Sequence, residues 1–202
     1  MHAVALPSPE LRQGDRMTAE EFLWRWEQLP ELNHAELIEG VVYLASPVSD
    51  PHGEFEDLLH HWLLRYMEQA TEDLKIRPNT TSHLGKDVFQ PDLSLRRAKP
   101  KRVGEGKYVE IVPDLIVEIS YSSRSYDLGV KLAAYRAAGV REYLAVLLED
   151  QRVEWRTLSG TRYRMLAPSK DGILRSTGFP GLRLDTNALF PPDRRRLLAA
   201  LA

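Results

Sequence analysis

Two acidic residues and one lysine carry the clearest chemical signal in this 202-residue sequence. Asp92 follows Pro91 in a segment, 88–95, that reads as a strand. Glu118 stands between Val117 and Ile119 in Leu115-Ile-Val-Glu-Ile119, the most apolar strand of the chain. Side chains alternate faces along a strand, so Gln90, Asp92 and Ser94 share one face, as do Asp114, Ile116, Glu118 and Ser120. An ionised carboxylate among such neighbours needs a cation, a hydrogen-bond network or a raised pKa. A buried salt bridge would satisfy either acid alone. Two carboxylates converging from neighbouring strands instead make a hard-cation site of the Mg²⁺ kind, with oxygen ligands and waters left for a substrate. Pro91 forgoes a ladder bond and marks a bulge or an edge, a common way to aim a side chain. Lys131 follows on a helix whose buried face, at about 100° per residue, is set by Leu128, Leu132 and Tyr135. It falls within roughly 40° of Tyr135 on that wheel. Its ammonium either reaches over the sheet or makes an i,i+4 pair with Asp127 worth tenths of a kcal/mol.

The elements that must position these groups are legible in the pattern. Thr18 and Glu21 form a capping box that opens a helix over 19–27, and Pro30 stops it. Residues 36–44 read as a hairpin turning at Gly40. Phe55, Leu58, Leu59, Trp62, Leu63, Tyr66 and Met67 make one apolar stripe on a helix over 52–69. Strands follow over 74–79, 88–95 and 111–120, then a helix over 127–138 ended by Gly139. A buried strand over 142–148 precedes a hairpin of 153–158 and 163–166, a short strand over 181–184 and a C-terminal helix opened by Asp193. The expectation is an α/β fold, bordering on α+β: a central mixed sheet flanked by helices, with an extra N-terminal hairpin and added C-terminal strands. Residues 1–16 read as a flexible arm, 17–190 as a single domain and 191–202 as a helical tail.

Composition narrows the chemistry. Hydrophobic residues make up 43% and charged residues 28%, a globular balance. With no cysteine, thiolate metal sites, disulfides and cysteine nucleophiles are excluded. No apolar run approaches the roughly 18 residues of a membrane span and no signal-peptide pattern opens the chain, so a cytoplasmic protein is expected. Net charge is −2 and the pI is near 6.3, without the basic surplus of a protein that grips many phosphates. One local exception is the run holding Arg96, Arg97, Lys99, Lys101 and Arg102, which reads either as a solvated loop or as a line of phosphate contacts. Ser122, Ser123 and Ser125 lack a G-x-S-x-G setting and suit loop or cap roles. Glu110, Asp114 and Glu142 read as strand-end or surface acids. His60 and His61 diverge by about 100° and do not pair as metal ligands.

Taken together, Gln90-Pro91-Asp92, Pro113-Asp114-Leu-Ile-Val-Glu118-Ile-Ser120, Ser122, Asp127, Lys131 and Gly139-Val140-Arg-Glu142-Tyr143 resemble the Uma-type putative restriction endonucleases of the PD-(D/E)XK superfamily. Glu36-Leu-Ile-Glu-Gly40, Ser46-Pro47 and His52 match the family's N-terminal half, so the likeness covers about residues 17–190. The resemblance implies an αβββαβ core and a metal-dependent endonuclease that hydrolyses DNA phosphodiester bonds. Asp92, Glu118 and the Ile119 carbonyl would hold Mg²⁺ or Mn²⁺. The superfamily lysine usually stands two residues after the second acid, where this chain has Ser120, so the resemblance implies a lysine migrated to the helix as Lys131. Tyr121 and Leu144 stand where proline and tryptophan are common in the family. Glu36 is an additional outer carboxylate, His52 a substrate or water contact, and a homodimer is expected by analogy. The other expectation is a catalytically inactive nuclease-like module that binds nucleic acid or protein.

Overall fold

The computed structural model describes residues 10–97, 101–103 and 108–201. Helix α1 (Ala19–Glu27) begins where the Thr18 hydroxyl accepts the Glu21 N–H at 3.3 Å. Strands β1 (Ala35–Ile38) and β2 (Val41–Leu44) pair antiparallel around Glu39-Gly40, both at positive φ (51° and 75°). Helix α2 (Asp50–Gln69) is capped by Ser49 and buries Phe55, Leu58, Leu59, Trp62, Leu63 and Tyr66, the stripe that the spacing predicts. Short strands follow: β3 (Lys75–Pro78), β4 (Ser82–Leu84), β5 (Asp87–Phe89), β6 (Leu93–Arg96), β7 (Lys101–Val103), β8 (Tyr108–Glu110) and β9 (Leu115–Ser120). A helical crossover comes next. Its first turn, α3 (Arg124–Tyr126), widens into a π-helical turn (Asp127–Lys131) and continues as α4 (Leu132–Ala138), ending at Gly139 with φ 84°. Strands β10 (Glu142–Leu147), β11 (Arg152–Ser159), β12 (Arg162–Met165), β13 (Ile173–Arg175) and β14 (Arg183–Asp185) precede α5 (Arg194–Ala199).

The central mixed sheet has the order β12-β11-β10-β9-β6-β3, in which β9 and β10 run parallel and every other pair is antiparallel. A parallel pair needs a crossover, and the α3–α4 segment supplies it. Leu115, Val117 and Ile119 of β9 pack with the α2 stripe, Leu184 and Leu197 on one face. Ile116 faces the other way, into a cluster with Phe89, Tyr135 and Tyr143. Strand β9 is thus covered on both faces, as its apolar run requires. A second sheet, β2-β1-β5-β4-β8-β7, and the small β13–β14 pair complete the fold.

Several expectations needed correcting. Residues 88–95 are not one strand. β5 pairs with β1 and β4 in the second sheet, β6 pairs with β3 and β9 in the central one, and Gln90-Pro91-Asp92 is the passage between them. Pro91 has no N–H to give a ladder, so the chain changes sheets there instead of bulging. Residues 108–110 and 115–120 likewise belong to different sheets, broken around Pro113. Of the arm expected over 1–16, residues 1–9 lie outside the described residues. The rest is docked: Leu11 is buried, and the Gly14 and Val42 amides donate to Val42 and Asp15 carbonyls. The C-terminal segment also joins the core through Leu197 and Leu201. Glu142, expected at a strand end or surface, is buried. The 100° wheel misplaced the buried face of the crossover helix. The π turn rotates it to Asp127, Lys131, Ala134 and Tyr135, leaving Leu128 and Leu132 half-buried.

Candidate functional site

Four elements converge on the ammonium of Lys131. Its Nζ lies 2.7 Å from Glu118 Oε1 on β9, 3.2 Å from Glu36 Oε2 on β1, and 4.0 Å from Asp127 Oδ1 one turn earlier. Each partner is held by further bonds. Glu36 accepts the Gln90 N–H on Oε1 and the Tyr126 hydroxyl on Oε2, both at 2.9 Å. The Tyr135 hydroxyl donates to Glu118 Oε1 at 2.8 Å. Ser123 donates to Asp127 Oδ2 at 2.5 Å. Asp92, at the passage between the sheets, accepts the Ile119 N–H on Oδ2 at 2.6 Å, which ties it to the strand that carries Glu118. Its Oδ1 faces Nε2 of His52, from the first turns of α2, at 3.3 Å. The passage at Pro91 and the widened turn at 127–131 are the two irregularities that place these side chains. Irregular backbone of both kinds is common at functional sites.

The cluster is buried and unbalanced in charge. Glu36, Asp92, Glu118 and Asp127 are 3–7% exposed, and the one lysine among them is 4% exposed. Burial pushes the Glu118 carboxyl well above its usual range. Lys131 opposes that shift, while Asp92 and Glu36 add to it. Burial also raises Asp127, against Lys131 and its serine partners. Burial alone would depress the Lys131 ammonium, but Glu118, Glu36 and Asp127 outweigh it, so its pKa is raised and it stays charged. Burial and the neighbouring carboxylates raise Tyr126 and Tyr135, which remain hydroxyl donors. The hydrogen bond to Asp92 raises His52 against the effect of burial. A cavity of about 750 Å³ opens onto these groups, walled by Tyr43, Tyr121, Tyr126, His34, His52 and Gln90 among others.

The structure therefore brings together Glu36, His52, Asp92, Glu118, Ile119 and Lys131 of the residues singled out by sequence. It does not bring Arg96 or Arg97 to the cavity. Arg96 is buried at the far end of β6. Arg97 pairs with Glu72 and with Asp114 (3.2 Å) and lies 4.1 Å over the Phe179 ring. Lys99 lies outside the described residues, as do the side chains of Lys101 and Arg102, whose backbone forms β7 at the edge of the second sheet. Asp127, Tyr126, Tyr135 and Gln90 were not assigned to the site from sequence. Asp127 and Lys131 are four residues apart, and that spacing on one helix was the available signal.

Among the described residues, no group of three or more His, Cys, Asp or Glu side chains is arranged to hold a metal ion. Asp92 and Glu118 with one backbone carbonyl nonetheless form an oxygen donor set suited to a hard divalent cation. A family model named Uma2 and described as "Putative restriction endonuclease" matches residues 19–187. This chain belongs to the Uma2 family. The match spans every residue of the acid–lysine cluster and both backbone irregularities. A crystal structure described as a "putative nuclease belonging to DUF820", from Anabaena variabilis, superposes with a TM-score of 0.67 at 17% identity, covering 92% of this chain and 99% of that one. At that identity the likeness shows the fold, and it agrees with the mixed sheet flanked by helices. No curated protein matches the chain. Among the described residues no helix of this Uma2 member is long and apolar enough to cross a membrane.

Proposed function

We propose that this Uma2 member is a metal-dependent endonuclease that hydrolyses phosphodiester bonds of DNA. The observation that supports it is the charge of the buried cluster, four carboxylates around a single ammonium at the floor of an open cavity. Such an excess of buried negative charge is costly without a further cation. Asp92 and Glu118, with the Ile119 carbonyl, would hold Mg²⁺ or Mn²⁺. The ion, when bound, polarises the scissile phosphate and lowers the pKa of a bound water.

The side chains have separable roles. Lys131, held in its charged form, is no general base. It is a fixed positive charge for the negative charge that develops on the phosphate oxygens. Tyr135 fixes the rotamer of Glu118, and Tyr126 fixes that of Glu36, an outer carboxylate that holds Lys131 in place. His52 orients Asp92 through its Nε2 and is positioned to touch substrate or water. A second reading, a catalytically inactive nucleic-acid or protein-binding module, draws on the contact at 2.7 Å by which Lys131 already compensates Glu118.

The test is cleavage of plasmid DNA in Mg²⁺, Mn²⁺ and EDTA, beside calorimetric titration of the metals. Metal-dependent nicking is expected, absent in Asp92→Ala/Glu118→Ala, with the metal isotherm abolished as well. Equal metal binding by wild type and double variant would place the ion elsewhere. DNA binding without any cleavage would decide for the inactive module. A homodimer rests on the resemblance alone, and sedimentation checks it.

A further inference from the structure

Gln90 is the one residue of the cavity wall whose hydrogen bonding is fixed on one side and open on the other. Its backbone N–H serves Glu36. Its side-chain Nε2 donates to the Asn33 carbonyl at 3.2 Å and the Asn79 carbonyl at 3.1 Å. Carbonyls only accept, so these two bonds set the orientation of the amide and leave Oε1 as an acceptor. The residue is 8% exposed, lines the cavity, and no described protein group donates to Oε1. A buried acceptor without a donor is rare in folded proteins and points to a ligand or a functional role.

The neighbours say which kind of donor fits. Glu36, Asp92 and Glu118 share the cavity, so a phosphate oxygen would meet both an amide oxygen and carboxylates there. Lys131 is the lysine or arginine among the described lining residues, and it is committed to those acids. The remaining walls suit a flat, neutral group: Tyr43 and Tyr126 stack at 4.6 Å, and Tyr121 is 43% exposed at the same cavity. Aromatic walls hold bases by stacking regardless of sequence, and a polar group at the floor adds selectivity. The N–H groups on the pairing edge of a base are engaged in a duplex, and a recessed amide reaches them only when the base is unpaired or turned out of the stack.

We propose that the cavity receives one unpaired nucleobase of the substrate and that Gln90 Oε1 accepts a hydrogen bond from that base's N–H, making Gln90 a specificity-determining residue. This rests on the nuclease reading for its substrate class.

The experiment measures binding, so it needs no cleavage. Anisotropy titrations of the full chain, in Ca²⁺ and again in EDTA, use short labelled single strands that compare adenine and guanine with unsubstituted purine, cytosine with pyrimidin-2-one, and thymine with 3-methylthymine. The wild type is expected to favour at least one natural base over its donor-lacking analogue by about tenfold, the scale of one hydrogen bond to a buried acceptor. Gln90→Met is expected to erase that preference while keeping the wild-type metal isotherm. Equal affinity of the wild type for every pair overturns the proposal, and this arm holds even if Gln90→Met fails to fold. A preference that survives in folded Gln90→Met, or one that follows a 2′-hydroxyl instead of the base, also overturns it. So does a variant whose only defect is metal affinity, because the acceptor would then serve a metal-bound water. Absence of DNA cleavage with the base preference intact sinks the nuclease reading and leaves this one standing.

Discussion

Glu118 and Glu142 lie on paired parallel strands, both almost fully buried, yet the protein treats them in opposite ways. Glu142 accepts from five neutral donors: Trp155 Nε1 at 3.0 Å, the Ser176 and Thr177 hydroxyls at 2.8 Å, and the Thr177 and Gly178 amides at 2.7 Å. A side chain at Gly178 would begin 3.4 Å from Glu142 Oε1, so the bare glycine lets the backbone close on the carboxylate. This acid is an anchor that fastens the segment before β14 to the central sheet. Glu118 has one neutral donor, Tyr135, and otherwise meets a shared ammonium and two further acids. Burial of a carboxylate is therefore not by itself a sign of a site. Dipoles that saturate the charge make architecture, whereas like charges crowded around a cavity make a place that a cation completes.

The strongest way to break this comparison is to remove the cation that the cluster does possess. Lys131→Ala leaves Glu118, Glu36 and Asp127 without their nearest positive charge. Metal-free stability is expected to fall by about 3–5 kcal/mol, the cost of stripping one partner from a buried ion pair, read by urea unfolding. Plasmid cleavage should fall by about a hundredfold or more, as for removal of one preorganised charge-stabilising group. A stability change of only tenths would mean that the ammonium behaves as a surface i,i+4 partner of Asp127.

The same substitution in the two glutamates should then give opposite signs. Glu142→Gln turns an amide N–H toward donors that already point inward and should cost about 2 kcal/mol, with cleavage per folded molecule unchanged. Glu118→Gln keeps an oxygen for Tyr135 and Lys131 while removing one of four crowded charges. Its stability at neutral pH should hold or rise, and its cleavage should disappear. Parallel behaviour of the two variants in either assay would erase the distinction between anchor and site.

The basic segment sharpens the contrast from outside the cavity. Arg97→Ala removes two ion pairs and the stack on Phe179, and about 1 kcal/mol of stability should go with them, with no change in the salt dependence of DNA binding. Neutralising Lys99, Lys101 and Arg102 together is the reverse test. Every DNA phosphate that this leaves unneutralised should lower the salt slope by about 0.9 for a duplex, and an unchanged slope makes this segment a solvated loop.

How much of this was legible in the sequence follows the range of the interactions. The acid in the apolar run of β9, the stripe of α2 and the caps at Thr18, Gly139 and Asp193 are local signals, and the structure has the elements they announce. The resemblance also placed Lys131 beside the acids, where the helical wheel alone left two directions open. What periodicity missed is non-local. Alternation along 88–95 cannot register that Pro91 hands the chain from one sheet to another, although Asp92 still reaches β9. The π turn at 127–131 shifts the wheel, so Asp127 was read as a surface partner when it is buried. Glu142 looked like a strand-end acid because its donors come from 155 and 176–178, far along the chain. Short strands such as β4 and β13, three residues each, carry too few alternations to announce themselves.

Asp87 offers the finest test, because it falls between the two glutamates. It is buried on β5, and its Oδ1 accepts a single neutral donor, the Glu39 N–H at 2.7 Å, which caps the strained turn where Glu39 has φ 51°. Burial raises its pKa from the ordinary 3.8, with the Glu39 bond pulling the other way. A raised native pKa means that the folded protein holds the proton where the unfolded chain has released it. Stability from this group is then complete below the unfolded pKa and is lost as pH rises through the native one. Asp87→Asn keeps an oxygen for Glu39 and cannot ionise. At pH 7 it should be more stable than wild type by a few tenths of a kcal/mol, in the range of small surface and cap changes, and the gain should vanish as pH falls below about 4, where the wild-type acid is protonated in both states. Urea midpoints of the two proteins across pH 3 to 8 measure this directly. A variant that is less stable at every pH would show that the carboxylate charge on the Glu39 amide outweighs burial, moving Asp87 to the side of Glu142.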